Sequence, residues 1–246
     1  MTGDLPTAAK AADILERVRK ARPRVHCLMN TVVQKFTADG ITVVGGIPSM
    51  TTSPEEIESF VAKADALTVN LGTLDAERRK VIRLAIEIAS ASGKPWIVDP
   101  VHVDYSPSRL AFARELIALS PTIVRGNRAE MSLVGDVPNA VRIETGPVDH
   151  LRDAIRSVRI VNGHAWMAKV TGTGCLSGGV IAAFMAVEKD ALTAAASALA
   201  VTGVSAELAA KQSKGPGTFE AAFLDALSAI SGDDIVNHAR IEHEQG

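Results

Sequence analysis

The chain has 246 residues, a hydrophobic fraction of 47% and a formal net charge of −2 at pH 7. These values predict a sizeable buried core and give no electrostatic reason to expect nucleic acid or an anionic membrane as the main partner. A small-molecule ligand is therefore the default expectation. The two cysteines of the chain suffice for neither a disulfide framework nor a zinc site, so we expect a cytoplasmic protein.

The segment 1–24 mixes acids with bases and has no continuous apolar stretch, which argues against a secretory signal. No run reaches the roughly 18 apolar residues of a transmembrane helix, so no membrane partner is expected. We expect one domain over 1–246, with an N-terminal helix within about 1–22 and a charged tail at about 233–246 whose last residues fray.

Short runs rich in β-branched residues recur along the chain and predict strands. They lie at 24–29, 41–44, 66–72, 95–100, 122–127, 140–146 and 157–163. Helical patterns separate the earlier runs, and this alternation predicts a mostly parallel sheet with helices on both faces, the α/β class.

Two helices of the first half have clear sequence signals. One is predicted to begin at Ser53 as N-cap, with Glu56 completing a capping box. The other runs from 74 to Gly93 and places four apolar residues on one stripe: Val81, Leu84, Ala85 and Ile88.

The second half of the chain has a different pattern. Residues 140–163 predict an antiparallel hairpin at one edge of the sheet, with "PVDHLRD" as its polar turn. Beyond Gly174 the pattern is almost wholly helical, and the alanine-rich segment 193–210 predicts a tightly packed helix.

Polar residues follow several of the predicted strands. In an open parallel sheet, ligands lie beyond the carboxyl ends of the strands. The candidate site residues at these ends are Asn30, Asn70, Asp99, Arg125, Asn127 and Thr145.

The sequence "VTGTGC" at 170–175 opens a helix with glycines that permit close backbone approach. Such a corner can bind an anion, typically phosphate, at the positive end of the helix. The same pattern also serves as a plain packing device, and spacing alone leaves both possibilities open.

Arg125, Asn127 and Glu130 lie within "RGNRAE". Arginine can bind phosphate with two N–H groups, and a carboxylate can hold Mg²⁺ through water. The alternative is purely structural, with Asn127 as a helix N-cap and Glu130 as its capping-box partner. Asp99 ends a buried strand before a proline, which favours a role toward a ligand or a cation.

Eight motifs, taken in order, resemble the hydroxyethylthiazole kinase family over about residues 23–230. They are "VHCLMN", "PSM", "NLGT", "DPV", "RGNRAE", "NGH", "VTGTGC" and "GPGTF". The resemblance implies a ribokinase-like three-layer α/β sandwich. It further implies a homotrimer with substrate sites between subunits and ATP-dependent phosphorylation of 4-methyl-5-(2-hydroxyethyl)thiazole.

The resemblance also implies residue roles. The nucleotide contacts would be Arg125, Thr145, Asn127 and Thr173. The thiazole contacts would be Met50, Gly172 and Asn30, and Asp99 and Glu130 would organise Mg²⁺.

Gly172, Gly174 and Cys175 would form the catalytic corner. The two glycines would let backbone N–H groups meet the transferring phosphoryl group. Cys175 stands where related sugar kinases place an aspartate base, and at a helix N-terminus its pKa is expected to fall, so that a thiolate could accept the hydroxyl proton. The alternative is a small buried residue with no role in the reaction.

Some residues favour structural or divergent interpretations. His102 and Asp104 stand where many relatives carry glycine. The span from Asn127 to Thr145 has fewer residues than members of the family usually have there. The short span leaves open a catalytically reduced thiazole-binding or regulatory homologue. Among enzymes, a kinase of another small heteroaromatic alcohol also stays open. Cys27 is expected in the core, His26 is expected to be satisfied, and Arg78, Arg79 and Lys80 are expected on a solvated helix face.

Overall fold

The structure, a computed structural model, describes residues 5–244. Within them, nine strands form a single sheet in the order β2-β1-β3-β4-β5-β6-β7-β8-β9. The strands are β1 Arg24–Leu28, β2 Ile47–Ser49, β3 Ala66–Asn70, β4 Trp96–Asp99, β5 Ile123–Asn127, β6 Val141–Thr145, β7 Asp149–Arg152, β8 Ser157–Ile160 and β9 Ile241–Glu244.

The helices surround this sheet. They are α1 Ala8–Ala21, α2 Gln34–Val43, α3 Ile57–Lys63, α4 Ala76–Ala91, α5 Pro107–Ile117, α6 Arg128–Val134, α7 Thr173–Met185, α8 Ala191–Gln212, α9 Pro216–Ala229 and α10 Gly232–His238, with a short 3-10 helix at Ala165–Lys169.

The sheet combines a parallel part with an antiparallel extension. Strands β2, β1, β3, β4, β5 and β6 are parallel, whereas β7, β8 and β9 join antiparallel to one another and to β6. One apolar core lies between the sheet and α1, α2, α7, α8 and α9, and a second lies between the sheet and α3, α4, α5 and α6. The predicted three-layer sandwich with a mostly parallel sheet is therefore confirmed.

Helix α8 passes through the first core. By length and composition it is the one helix in 5–244 apolar enough to cross a membrane, with a mean hydropathy of 1.4. However, 83% of that apolar window is buried inside the protein. Small residues such as Ala194 and Ala198 lie within it, and the predicted tightly packed helix is confirmed.

The strand predicted at 41–44 is wrong, because residues 41–43 are the end of α2 and Val44 is its C-cap. Ile41 lies against Gly179 of α7, where a Cβ on the glycine would come within 2.9 Å of the isoleucine Cδ1 atom. This close packing of two helices requires helical backbone at Ile41, and it overrides the local β preference. The edge strand is β2 instead, a few residues later.

The hairpin predicted at 140–163 is correct in its two strands and in its antiparallel character, but "PVDHLRD" is not a turn, because it contains a third strand, β7. Strands β6 and β8 both pair with β7 and not with each other. Only one side of β7 faces the core, through the fully buried Leu151. The other residues of this strand are polar, so its sequence pattern resembles that of a turn. The charged tail likewise forms α10 and β9 and is not frayed through 244, while residues 245–246 and 1–4 lie outside the described range.

Two details of the predicted helices differ from the structure. The capping box at Ser53 is absent because the Glu56 carboxylate accepts a hydrogen bond of 2.7 Å from Thr51 Oγ1, and α3 begins only at Ile57. The buried face of α4 is rotated from the predicted stripe, since Leu84 is 38% exposed whereas Ile82 and Ile86 are buried.

Candidate active site

A cavity of about 610 Å³ opens at the carboxyl ends of the parallel strands. All the sequence-predicted site residues except Met50 and Asn70 line it: Asn30, Asp99, Arg125, Asn127, Glu130, Thr145, Gly172, Thr173, Gly174 and Cys175. The parallel register explains the convergence, because Asn70 pairs with Asp99 and Asn127 pairs with Thr145 at the same edge of the sheet.

Gly172 and Gly174 form the corner where α7 begins. Gly172 is the N-cap residue with φ of 98°, and a Cβ there would lie 2.8 Å from Val33 Cγ1. Both the left-handed backbone and the close approach require glycine. The Thr173 hydroxyl donates to the carbonyl of Met167 at 2.7 Å, which fixes the start of the helix.

The Arg125 guanidinium lies against this corner. Its Nη2 atom is 3.2 Å from the position that a Cβ on Gly174 would take. Its Nη1 atom is 3.5 Å from Asp99 Oδ2, a long ion pair, and its buried Nε atom has no hydrogen-bond partner among residues 5–244. A buried guanidinium with so few partners has donors available for an anionic ligand.

Asp99 ends β4 and is 6% exposed. Its Oδ2 atom accepts a hydrogen bond of 3.0 Å from Asn70 Nδ2. Burial raises the pKa of Asp99 to about 6, while the positive charge of Arg125 opposes this rise. Burial therefore makes the charged form of this carboxylate less favourable than it is in water, a perturbation that is typical of functional sites.

Glu130 performs the structural role that the sequence left open. Its Oε2 atom accepts from the backbone N–H of Asn127 at 2.8 Å, the Asn127 side chain accepts from the N–H of Glu130 at 2.9 Å, and the predicted capping box is confirmed. The Oε1 atom accepts from the N–H of His102 at 2.9 Å. His102 and Asp104, both exposed, bring their ligand atoms within 4.8 Å of those of Glu130.

The expected acidic thiol at Cys175 is not found. Cys175 sits in the first turn of α7, but burial raises its pKa to about 12, and the negative charge of Asp99 acts in the same direction. Burial decides the direction of the shift, although the positive charge of Arg125 and the hydrogen bonds from the Asn30 and Asn70 amides lower the pKa. With its pKa raised in this way, the Cys175 thiol is poorly suited to supply a thiolate base at neutral pH.

Two residues lie beneath the cavity and are not part of its lining. Asn70, a candidate from its place at a strand end, donates to both Asp99 and Cys175, at 3.0 Å and 3.3 Å. Arg78 was expected in solvent but is buried, with Nη1 donating to the carbonyl of Met29 at 2.8 Å. No local pattern distinguishes it from its exposed neighbour Lys80.

Three residues lie apart from the cavity lining. Met50 follows β2 and packs at the rim of the first core. His26 is buried and hydrogen-bonded to Ser49 Oγ at 2.9 Å, and burial lowers its pKa to about 4, so the expected satisfied histidine is confirmed. Cys27 is fully buried, as expected.

A three-layer α/β sandwich with a glycine corner, a buried arginine and two carboxylates at the carboxyl edge of its sheet defines a ribokinase-like small-molecule kinase. The hydroxyethylthiazole kinase family model matches residues 15–142 and 137–233. The chain belongs to the hydroxyethylthiazole kinase family.

Similar proteins agree with this assignment. A probable hydroxyethylthiazole kinase of Agrobacterium fabrum is 89% identical over 246 residues, covering 100% of both chains. A hydroxyethylthiazole kinase of Clavibacter sepedonicus is 37% identical, covering 98% of this chain and 96% of the relative. A solved hydroxyethylthiazole kinase structure from Pyrococcus horikoshii has a TM-score of 0.92 at 32% identity, covering 96% of this chain and 99% of its own.

A more distant structure shows the breadth of the fold. The pyridoxal kinase of Staphylococcus aureus, solved with AMP-PCP and pyridoxal, has a TM-score of 0.63 at 15% identity, covering 90% of this chain and 98% of its own. At that identity the likeness concerns the fold alone. The expected ribokinase-like fold and the expected kinase of this family are confirmed, and nothing in the comparisons supports the two alternative functions.

Proposed function

We propose that the protein transfers the γ-phosphate of ATP to the hydroxyl of 4-methyl-5-(2-hydroxyethyl)thiazole, and that the cavity is the site of this reaction. The observation that carries this proposal is the buried Arg125 guanidinium, which faces Gly174 with its Nε unpaired within 5–244. Phosphoryl transfer needs aligned reactants and neutralised charge more than covalent chemistry. A buried cation beside the free N–H groups of a helix start supplies that neutralisation.

The nucleotide side of the cavity comprises Arg125, Thr145, Asn127 and Thr173. All four line the cavity. Arg125 would bind phosphate oxygens, and the first N–H groups of α7 would face the migrating phosphoryl group. The hydroxyl of Thr145 donates to the Gly126 carbonyl at 3.3 Å, which positions this residue beside the strand end.

Asp99 and Glu130 would hold Mg²⁺. Their oxygen donors suit a hard cation, and both line the cavity close enough for the charge of Glu130 to help raise the pKa of Asp99. When bound, Mg²⁺ would neutralise phosphate charge. Both Glu130 oxygens already accept one backbone N–H each, which fixes the carboxylate but leaves further lone pairs for water or metal.

The thiazole side comprises Asn30, Gly172 and Met50. Asn30 and Gly172 line the cavity beside the apolar Val33. Met50 follows the edge strand β2 and is not among the residues lining the cavity of the described chain. This separation favours a site completed across a subunit interface, and we propose a cytoplasmic homotrimer.

The role of Cys175 would be positional. With its pKa raised to about 12, the thiol would stay protonated and would orient the substrate hydroxyl without removing its proton. A strong base is not required, since a loose transition state leaves the attacking oxygen little changed until late in the reaction. The hydroxyl proton would then pass to an oxygen of the transferred phosphate and from there to solvent.

An assay of ADP release tests the proposed reaction. We expect turnover with the thiazole alcohol and much less with a hydroxymethylpyrimidine. Arg125→Gln should lower kcat/KM for ATP by about a hundredfold or more. Arg83→Gln, which removes an exposed ion pair with Glu115, is the matched control and should leave it unchanged. Full activity of Arg125→Gln would refute the assignment of the cavity.

Subunit complementation tests the interface. Co-expression of a variant inactivated at Met50 with one inactivated at Arg125 should restore part of the activity, because some interfaces would then combine two intact residues. Light scattering should give the mass of three chains. A fully active monomer would refute the trimer and the shared site.

A further inference from the structure

The side-chain amide of Asn70 connects four groups at the base of the cavity. Its Oδ1 atom accepts hydrogen bonds of 3.0 Å from the backbone N–H of Gly72 and from Asn30 Nδ2. Its Nδ2 atom donates to Asp99 Oδ2 at 3.0 Å and to Cys175 Sγ at 3.3 Å. Asn70 itself is fully buried, so its four hydrogen-bonding positions are all used within the protein.

These contacts fix which way both amides point. The N–H of Gly72 can only donate, so the oxygen of Asn70 must face it and the NH₂ group must face Asp99 and the sulfur. The oxygen of Asn30 likewise accepts from the N–H of Val32 at 3.1 Å, which turns the Asn30 NH₂ group toward the sulfur at 3.8 Å. The sulfur of the cysteine is therefore a hydrogen-bond acceptor on the side of both amides.

We propose that Asn70 is a positioning residue for phosphoryl transfer, which holds the Cys175 sulfur as an acceptor, directs its S–H into the cavity and fixes the Asp99 carboxylate at the same time. This inference rests on the proposed roles of Cys175 and Asp99. The S–H would meet the oxygen of the substrate hydroxyl, and the sulfur would neither gain nor lose a proton. One rigid amide would thereby set the distance between the acceptor alcohol and the phosphate side of the site.

Arg78 holds the backbone beneath this arrangement. Its Nη2 atom donates to the carbonyl of Asn70 at 3.0 Å, and its Nη1 atom donates to the carbonyl of Met29, next to Asn30, at 2.8 Å. One buried guanidinium thus ties together the two strand ends that carry the amides. The amides cannot shift independently, as a positioning role requires.

Asn70→Asp is the sharpest variant because it keeps the shape and loses the N–H donor toward the sulfur. One proton shared between the new carboxyl group and Asp99 replaces at most the other contact. We expect kcat to fall about tenfold to a hundredfold, the usual range for supporting residues, with little change in either KM. Thr68→Val, at a buried position of the same strand, is the control and should keep wild-type kcat. An unchanged kcat in Asn70→Asp would overturn the proposal.

Coupling to the cysteine separates positioning from general damage. If Asn70 acts through Cys175, Asn70→Ala should lower kcat by a smaller factor in the Cys175→Ala background than in the wild type. Equal factors in both backgrounds would overturn the proposed route. Each of these factors is the kcat of a variant divided by the kcat of the wild type. If the wild type itself showed no turnover, that result would refute the proposed function and not the role of Asn70.

Alkylation of Cys175 gives a readout that needs no turnover. Loss of the N–H donor in Asn70→Asp should raise the thiol pKa by about one unit and slow alkylation at pH 9 about tenfold. If the substitution instead loosened the packing around the site, alkylation of Cys175 would become faster. Cys27, which is fully buried, would then also become accessible to the reagent. If Cys27 becomes reactive, Asn70→Ser replaces the aspartate variant. Faster alkylation of Cys175 with Cys27 still protected would overturn the proposal.

Discussion

Asp99 Oδ2 lies 3.5 Å from Arg125 Nη1, and both side chains are almost fully buried. At this length the attraction does not compensate for the removal of the carboxylate from water, since the pKa of Asp99 still rises to about 6. The pair is therefore poorly suited to stabilising the fold. The Arg125 Nε atom has no hydrogen-bond partner within 5–244, so the guanidinium keeps a donor for a charged ligand.

We predict that Asp99→Asn stabilises the protein at pH 8 and has little effect at pH 4. Burial raises the pKa of Asp99 from 3.8 to about 6, so the folded chain binds a proton more tightly than the unfolded chain does. The stability linked to this group is present below pH 4 and is lost as pH rises through 6, by about 3 kcal/mol. The attraction of Arg125 is already part of this balance.

Urea unfolding of the two proteins at pH 4, 6 and 8 measures this effect. Asp225→Asn, at an exposed position, is the control and should show no gain that depends on pH. An equal gain at pH 4 and pH 8 would contradict the assignment to Asp99.

We predict that alkylation of Cys175 has no plateau at moderately alkaline pH. Because burial raises the thiol pKa to about 12, the rate should increase about tenfold for each pH unit between 7 and 10. For a small thiol in solution, the alkylation rate should instead reach a plateau above its pKa of about 8.5. Mass spectrometry separates Cys175 from Cys27, and rapid labelling that is already maximal at pH 7 would restore the thiolate interpretation.

The convergence of the site was predictable because it follows from topology. Parallel strands bring Asn30, Asp99, Arg125 and Thr145 to one edge of the sheet, so their order in the chain was sufficient information. The pKa of Cys175 was not predictable in the same way. It depends on how deeply the first turn of α7 is buried, which no neighbouring residue in the sequence reports.

The errors in the fold share one physical cause, which is that tertiary contacts override local pattern. Ile41 is helical because α2 packs closely on Gly179. Strand β7 resembles a turn because only Leu151 faces the core. The buried state of Arg78 depends on the distant carbonyls of Leu28 and Met29, contacts that lie outside any local window.

We predict that replacement by alanine is harmful at Gly172, where α7 starts, and tolerated at Gly178, in the interior of the same helix. Gly172→Ala forces a Cβ to within 2.8 Å of Val33 Cγ1 at a φ of 98°, whereas a Cβ on Gly178 meets nothing within 4 Å. Gly172→Ala should therefore lower kcat/KM strongly, because the corner must shift. Gly178→Ala should keep activity and stabilise the helix by about 0.5–1 kcal/mol. Steady-state kinetics and thermal unfolding of both variants check this, and equal activities would contradict the requirement for glycine at 172.

We predict that Arg78→Ala destabilises the protein by about 3 kcal/mol, far more than Lys80→Ala does. Arg78 is 8% exposed, and its guanidinium donates to the carbonyls of Met29 and Asn70 at 2.8 Å and 3.0 Å. Removing it leaves buried carbonyls without partners, a loss of about 1–3 kcal/mol for each group that water cannot reach. Arg78→Lys should recover only part of this stability, because one ammonium group cannot reproduce the planar fork. Urea unfolding gives the free energies, and a loss in Arg78→Ala no larger than that in Lys80→Ala would mean that the strand ends hold their positions without the guanidinium.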